Sequence, residues 1–151
     1  MKNLFSFVSV FILVIIFTHT IRDTKAYLVG VTTRVSVGPK GTEGNNEVYY
    51  SNISGNGQYV IFSSLADNLV NGDNNSVSDI FIHNRQTSIT ERVSVSNNGT
   101  ESNGETKHAN VSYNGDYVIF SSDASNLVPD DTNKLTDLFI RDRTSNLTER
   151  L

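Results

Sequence analysis

Two loops hold the residue types best suited to chemistry in this 151-residue chain. One carries Asp73-Asn74-Asn75 followed by Asp79, and the other carries Asp131-Thr132-Asn133 followed by Asp137. Oxygen-rich Asp-x-Asn spacing suits a hard cation. Asp73, Asn75, Asp79, Asp131, Asn133 and Asp137 are therefore candidate ligands for calcium, which takes about six to eight oxygens, backbone carbonyls and water included. The loops are not EF-hands, because the Gly and Glu that such a loop requires are missing. The same side chains have a structural use: Asp and Asn bond nearby backbone N–H groups and shape long turns. In that case Asp79 and Asp137 fix the start of a strand.

Other catalytic constellations are thin. Glu43 and Glu101, and likewise Glu47 and Glu105, are paired carboxylates of the type a glycosidase uses, but that chemistry depends on a separation that a sequence does not give. Beyond the first 26 residues the histidines are His83 and His108. Neither lies in a metalloprotease motif. There is no cysteine, no G-x-S-x-G nucleophile elbow and no Gly-rich phosphate loop opening a helix. Ser63-Ser64 and Ser121-Ser122 have no base near them in the pattern. The expectation is a chain without a catalytic set.

The elements that would position these loops come from a duplication. Residues 35–92 align with 93–150, and about 31 of the 58 positions are identical, among them YVIFSS at 59–64 and 117–122 and TER at 90–92 and 148–150. Repetition on this scale means stacked supersecondary units. Each copy reads as four β-rich runs separated by turn clusters of Gly, Asn, Asp and Ser. The first run, Val48 to Ser54, closes at Gly55-Asn56-Gly57. The second, Tyr59 to Phe62, and the third, Asp79 to Ile82, are apolar on both faces, so both faces should be covered. The fourth, Thr90 to Ser96, alternates, which predicts a half-exposed outer strand. His83 aligns with Arg141, which reads as a tolerated outward position, and His108 aligns with Tyr50. The recurring Glu91-Arg92, Glu149-Arg150, Arg85 and Arg143 read as structural ion pairs or caps, of little value at a surface.

Together RVSV, NISGNGQYVIFSS, NLV, SDIFIHNRQT and TERVSV resemble the TolB-type β-propeller repeat across residues 32–151. The resemblance implies an all-β fold of propeller blades, two four-stranded antiparallel sheets of about 58 residues each, and an exported protein. A closed propeller takes about four or more blades, so two form an incomplete one. The expected layout is a leading strand at 32–37, blade one at about 48–95 and blade two at about 106–151, within a repeat region at 27–151. Leu151 falls inside the fourth strand of the second copy, as in a fragment of a longer product. A homo-oligomer completing the propeller is the other expectation, with the leading strand entering a neighbour's last sheet.

At the N-terminus Lys2 precedes an apolar run from Leu4 to Phe17, too short to span a bilayer comfortably, and Thr24-Lys25-Ala26 offers a cleavage site. Residues 1–26 thus read as a secretory signal, giving a secreted or periplasmic chain without a stable membrane anchor. Loss of Lys2, Arg22, Lys25 and Asp23 turns the 12 basic and 16 acidic residues into nine and fifteen, a formal charge of −6. That surface repels phosphate backbones, so nucleic acid is not an expected partner. Sequons at Asn52, Asn74, Asn98, Asn110 and Asn146 would accept glycans in a eukaryotic host.

The functional expectation is a binding or scaffold module presenting loops to a protein or glycan. Positions that differ between copies are the better contact candidates, notably Tyr49, Tyr50, His108 and Tyr113. The alternatives are a propeller side domain of a prolyl-peptidase-like hydrolase and a calcium-stabilised array.

Overall fold

A computed structural model describes residues 32–151; the signal assigned to 1–26 lies outside them. Among the described residues eight strands form two antiparallel sheets. The first blade runs β1 (Val48–Ile53), β2 (Tyr59–Ser64), β3 (Asp79–Asn84) and β4 (Ile89–Arg92) in that order, and the second runs β5 (Thr106–Val111), β6 (Tyr117–Ser122), β7 (Asp137–Asp142) and β8 (Leu147–Arg150). The protein is all-β, an incomplete propeller of two blades. Among the described residues no helix is long and apolar enough to cross a membrane.

Register follows the repeat. Phe62 faces Phe81 across β2 and β3, and Phe120 faces Phe139 across β6 and β7. Each pair stacks with ring centroids 5.8 Å apart. In the first blade Phe62 and Phe81 pack with Ala66 and Leu69 from the long β2–β3 loop. The opposite face, carrying Ile61, Ile80 and Ile82, packs against Phe120, Phe139 and Leu127 of the second blade. Fully burying such a side chain contributes about 1.5–3 kcal/mol, so this junction is a main source of stability.

The expectation that both middle strands are covered on both faces holds for one blade only. β3 is buried from Asp79 to His83, whereas β6 alternates, with Val118 and Phe120 buried, Ile119 half-buried and Tyr117 exposed. Among the described residues, one face of the second blade meets another blade and the other does not. The junction also has a tight point at Gly115, whose φ of +84° suits glycine and where a Cβ would stand 2.3 Å from the Tyr59 ring.

Three further expectations are corrected. The fourth strand ends at Arg92, and Val93 to Ser96 are all buried rather than half-exposed. Ser94 explains why: its hydroxyl accepts the Ile80 N–H at 3.1 Å and donates to Asp79, so this stretch is clamped beneath the sheet. The leading segment 32–37 is not a strand; its sole ladder contact among the described residues is an isolated bridge from Val37 to Glu43. His83 points inward, buried, with Nδ1 3.0 Å from the Thr90 hydroxyl, and burial lowers its pKa. Arg141 is buried at the same position of the second copy, bonded to the Asn146 carbonyl at 2.7 Å and the Thr148 hydroxyl at 3.1 Å.

Candidate functional site

β1 and β5, the first strands of the two blades, lie side by side. Each carries an irregularity in its pairing, between Val48 and Ser51 in β1 and between Lys107 and Ala109 in β5. Bulges of this type re-aim side chains, and His108 takes a positive φ of 37° there. As a result Tyr50 and His108, equivalent positions of the repeat, meet with ring centroids 4.1 Å apart and a tilt of 47°. Two residues along, Asn52 donates through its side-chain amide to Asn110, again its own equivalent.

This produces an exposed stripe of rings and amides. Tyr50 is 55% exposed, and Tyr49 beside it donates its phenol to Glu47 at 2.9 Å, a bond that raises the phenol pKa. Lys107 lies nearby with Nζ 2.8 Å from Glu105 and 3.6 Å from Asp123, and the Glu105 carboxylate raises its pKa. Of the four residues singled out from sequence, Tyr49, Tyr50 and His108 fall on these two strands. Tyr113 does not join them: it is 73% exposed at the β5–β6 turn, where its ring lies over Gly55. The signal that paired Tyr50 with His108 was their alignment, but alignment alone said nothing of contact.

The Asp-rich loops are arranged around arginines. Arg92 places Nη1 3.1 Å from Asp73, 3.2 Å from Asp79 and 2.9 Å from Glu101, while Nη2 donates to the Gly72 carbonyl at 3.2 Å. Asn75 donates to Asp79 at 2.8 Å. In the second blade Arg150 reaches Asp131 at 3.0 Å and Asp137 at 3.5 Å, and Asn133 donates to Asp137 at 2.9 Å. Thus the guanidinium stands between the carboxylates proposed as calcium ligands. Among the described residues no group of three His, Cys, Asp or Glu is placed to hold a metal ion. Arg92 does not pair with Glu91, as its sequence neighbour suggested; Glu91 pairs instead with Arg143 at 2.8 Å across the blade junction.

Comparison with known families and with curated proteins gives no match to this chain.

Electrostatics at Arg92 yields a pH dependence. Burial, with Asp79 and Glu101 adding to it, pushes the Asp73 carboxyl up to about 6 despite the nearby guanidinium. Burial raises Asp79 as well. A carboxyl whose folded pKa lies above its unfolded value of about 4 binds its proton more tightly when folded. Its stabilising contribution is complete below about pH 4 and is lost as pH rises through about 6. Asp73→Asn is therefore expected to gain melting temperature relative to the parent between those limits, measured by calorimetry at fixed ionic strength. Parallel curves for the two proteins would contradict the assignment.

The carboxylate pairs do not converge on one reaction centre. Glu101 serves Arg92, Glu105 serves Lys107, Glu47 serves Tyr49, and Glu43 is paired with Arg34. The serines at the strand ends are also engaged: Ser64 donates to the Glu47 carbonyl at 2.7 Å and Ser122 to the Glu105 carbonyl at 3.2 Å. A cleft beside the second blade, lined in part by Asn98, Thr100, Asn126 and Val128, has no titratable lining residue.

Proposed function

We propose that the chain is an exported, non-enzymatic binding module of the TolB-type propeller kind, and that its contact surface is the stripe formed by Tyr49, Tyr50, Asn52, His108 and Asn110. What carries the reading is the ring contact between Tyr50 and His108 on adjacent exposed strands. Rings that are well exposed are not explained by a core, and large exposed rings flanked by amides suit recognition. The two rings, tilted at 47°, offer apolar surface to the face of a sugar while Asn52 and Asn110 bond its hydroxyls, which favours a glycan over a protein partner. Rigid sheets behind the stripe reduce the ordering cost of binding. The apolar leader supports export.

A panel of oligosaccharides, screened with the purified chain, tests this. A binder is expected to shift the Tyr50 and His108 resonances, and Tyr50→Ala with His108→Ala is expected to abolish binding while changing stability by less than about 1 kcal/mol, as exposed positions do. Binding that survives the double substitution would place the contact elsewhere. A protein ligand that competes at the same resonances would keep the surface and change the partner class.

A further inference from the structure

The contacts between the two blades are made by pairs of side chains, and both members of those pairs recur at the two outer faces of the molecule. At the junction Ile61, Ile80 and Ile82 meet Phe120, Phe139 and Leu127. Arg143 reaches back to Glu91 at 2.8 Å and lies over Tyr59, 4.9 Å from the ring centroid. Arg92 reaches forward to Glu101 at 2.9 Å.

The far face of the second blade repeats the first half of this set: Ile119, Leu138 and Ile140, with Tyr117, Glu149 and Arg150 in place of Tyr59, Glu91 and Arg92. Here the residues are open. Leu138 is 43% exposed where Ile80 is 0%, and Tyr117 is 49% exposed. Glu149 is exposed and has no ion-pair partner among the described residues. The near face of the first blade repeats the other half, with Phe62, Phe81 and Leu69 for the apolar members, Arg85 for Arg143 and Glu43 for Glu101. Arg85 is exposed with its guanidinium bonded to the Gly57 carbonyl at 2.6 Å. The Glu43 side chain is 72% exposed but is already paired with Arg34, which stands at the position of Arg92. Phe62 and Phe81 are already shielded within the single chain, so the new apolar burial comes from Leu138, Tyr117, Ile119 and Ile140.

We infer that a second copy of this chain docks its first blade onto the open face of the second blade, reproducing the internal junction between molecules. The charges at the free contact are opposite in sign: Glu149 meets Arg85 of the second copy. Tyr117 takes the same arginine over its ring, as Tyr59 takes Arg143. Ser36 stands at the position of Ser94, so the second copy also brings a hydroxyl to Asp137 and the Leu138 N–H. Head and tail differ, so successive copies close a ring or extend a filament. Propellers of about four to eight blades correspond to rings of about two to four copies.

Sedimentation velocity of the purified chain over a concentration series reads the outcome. The parent is expected to shift to species of two or more copies. Leu138→Lys, at an exposed site, is expected to remove those species with the circular dichroism spectrum and melting temperature unchanged. Glu149→Arg is expected to do the same, and adding Arg85→Glu to it is expected to restore them. A parent that stays monomeric at every concentration overturns the inference. So does association that persists in Leu138→Lys or Glu149→Arg, because another surface then drives it.

Discussion

Replacing Phe120 by alanine is expected to lower the unfolding free energy by about 3–5 kcal/mol, the range for truncating a buried phenylalanine. Phe120 is fully buried, stacks on Phe139 at 5.8 Å and belongs to the cluster that joins Ile61, Ile80 and Ile82 to the second blade. Lost transfer energy and a cavity at the junction add together there. Tyr117 lies three residues earlier on the same strand, but it is 49% exposed on the opposite face, where none of the described residues forms a blade. Tyr117→Ala should cost less than about 1 kcal/mol. Urea denaturation of both variants makes the comparison. Equal midpoints would mean that the blades do not gain their stability from this junction.

Replacing Arg92 by alanine is expected to cost about 3–5 kcal/mol at neutral pH, because removing one member of a buried ionic group leaves the other charges uncompensated. The Arg92 side chain is 10% exposed and serves three carboxylates, of which Asp79 is 0% exposed. Arg150 is the equivalent residue of the second copy, 34% exposed and bonded to two. Its loss should cost less than that of Arg92 because its guanidinium is more exposed, while Asp131, at 3% exposed, keeps the cost above that of a surface pair. The Arg92→Ala deficit should also shrink toward pH 4, where Asp73, with its pKa pushed up to about 6, is neutral and needs no counter-charge; the raised pKa of Asp79 acts in the same direction. A deficit independent of pH would assign the loss to packing of the arginine stem instead.

These two contrasts show where sequence reading stops. The hexapeptide Tyr59 to Ser64 and its copy Tyr117 to Ser122 are identical in sequence, and both form strands in the same register. Strand, turn and register are local matters, set by β-branched and aromatic runs and by the Asn-Gly turns between them. Burial is not local. Ile61 is fully buried because a blade lies against it, whereas Ile119, the same residue type in the same hexapeptide, is half-buried because none of the described residues forms a blade there.

The candidate site divides in the same way. Tyr49, Tyr50 and His108 were legible as positions that break the repeat, since folding asks for the same residue in both copies and contact surfaces do not. Their meeting was not legible, because β1 and β5 are separated by more than fifty residues of chain and are brought together only when the blades stack. The Asp-rich loops were legible as oxygen clusters. That Arg92 would enter one of them was hidden by its immediate neighbour Glu91, which turns to Arg143 in the next blade.

The sequence by itself determined the 58-residue period, the β-rich runs of each copy and the turns between them. These depend on residue type and spacing along one blade. Tertiary structure alone decided which face of each blade is closed, which carboxylates each arginine neutralises, and that Tyr50 meets His108. Those outcomes depend on what a neighbouring blade supplies, and duplicate sequences acquire different burial and different partners when only one of them has such a neighbour.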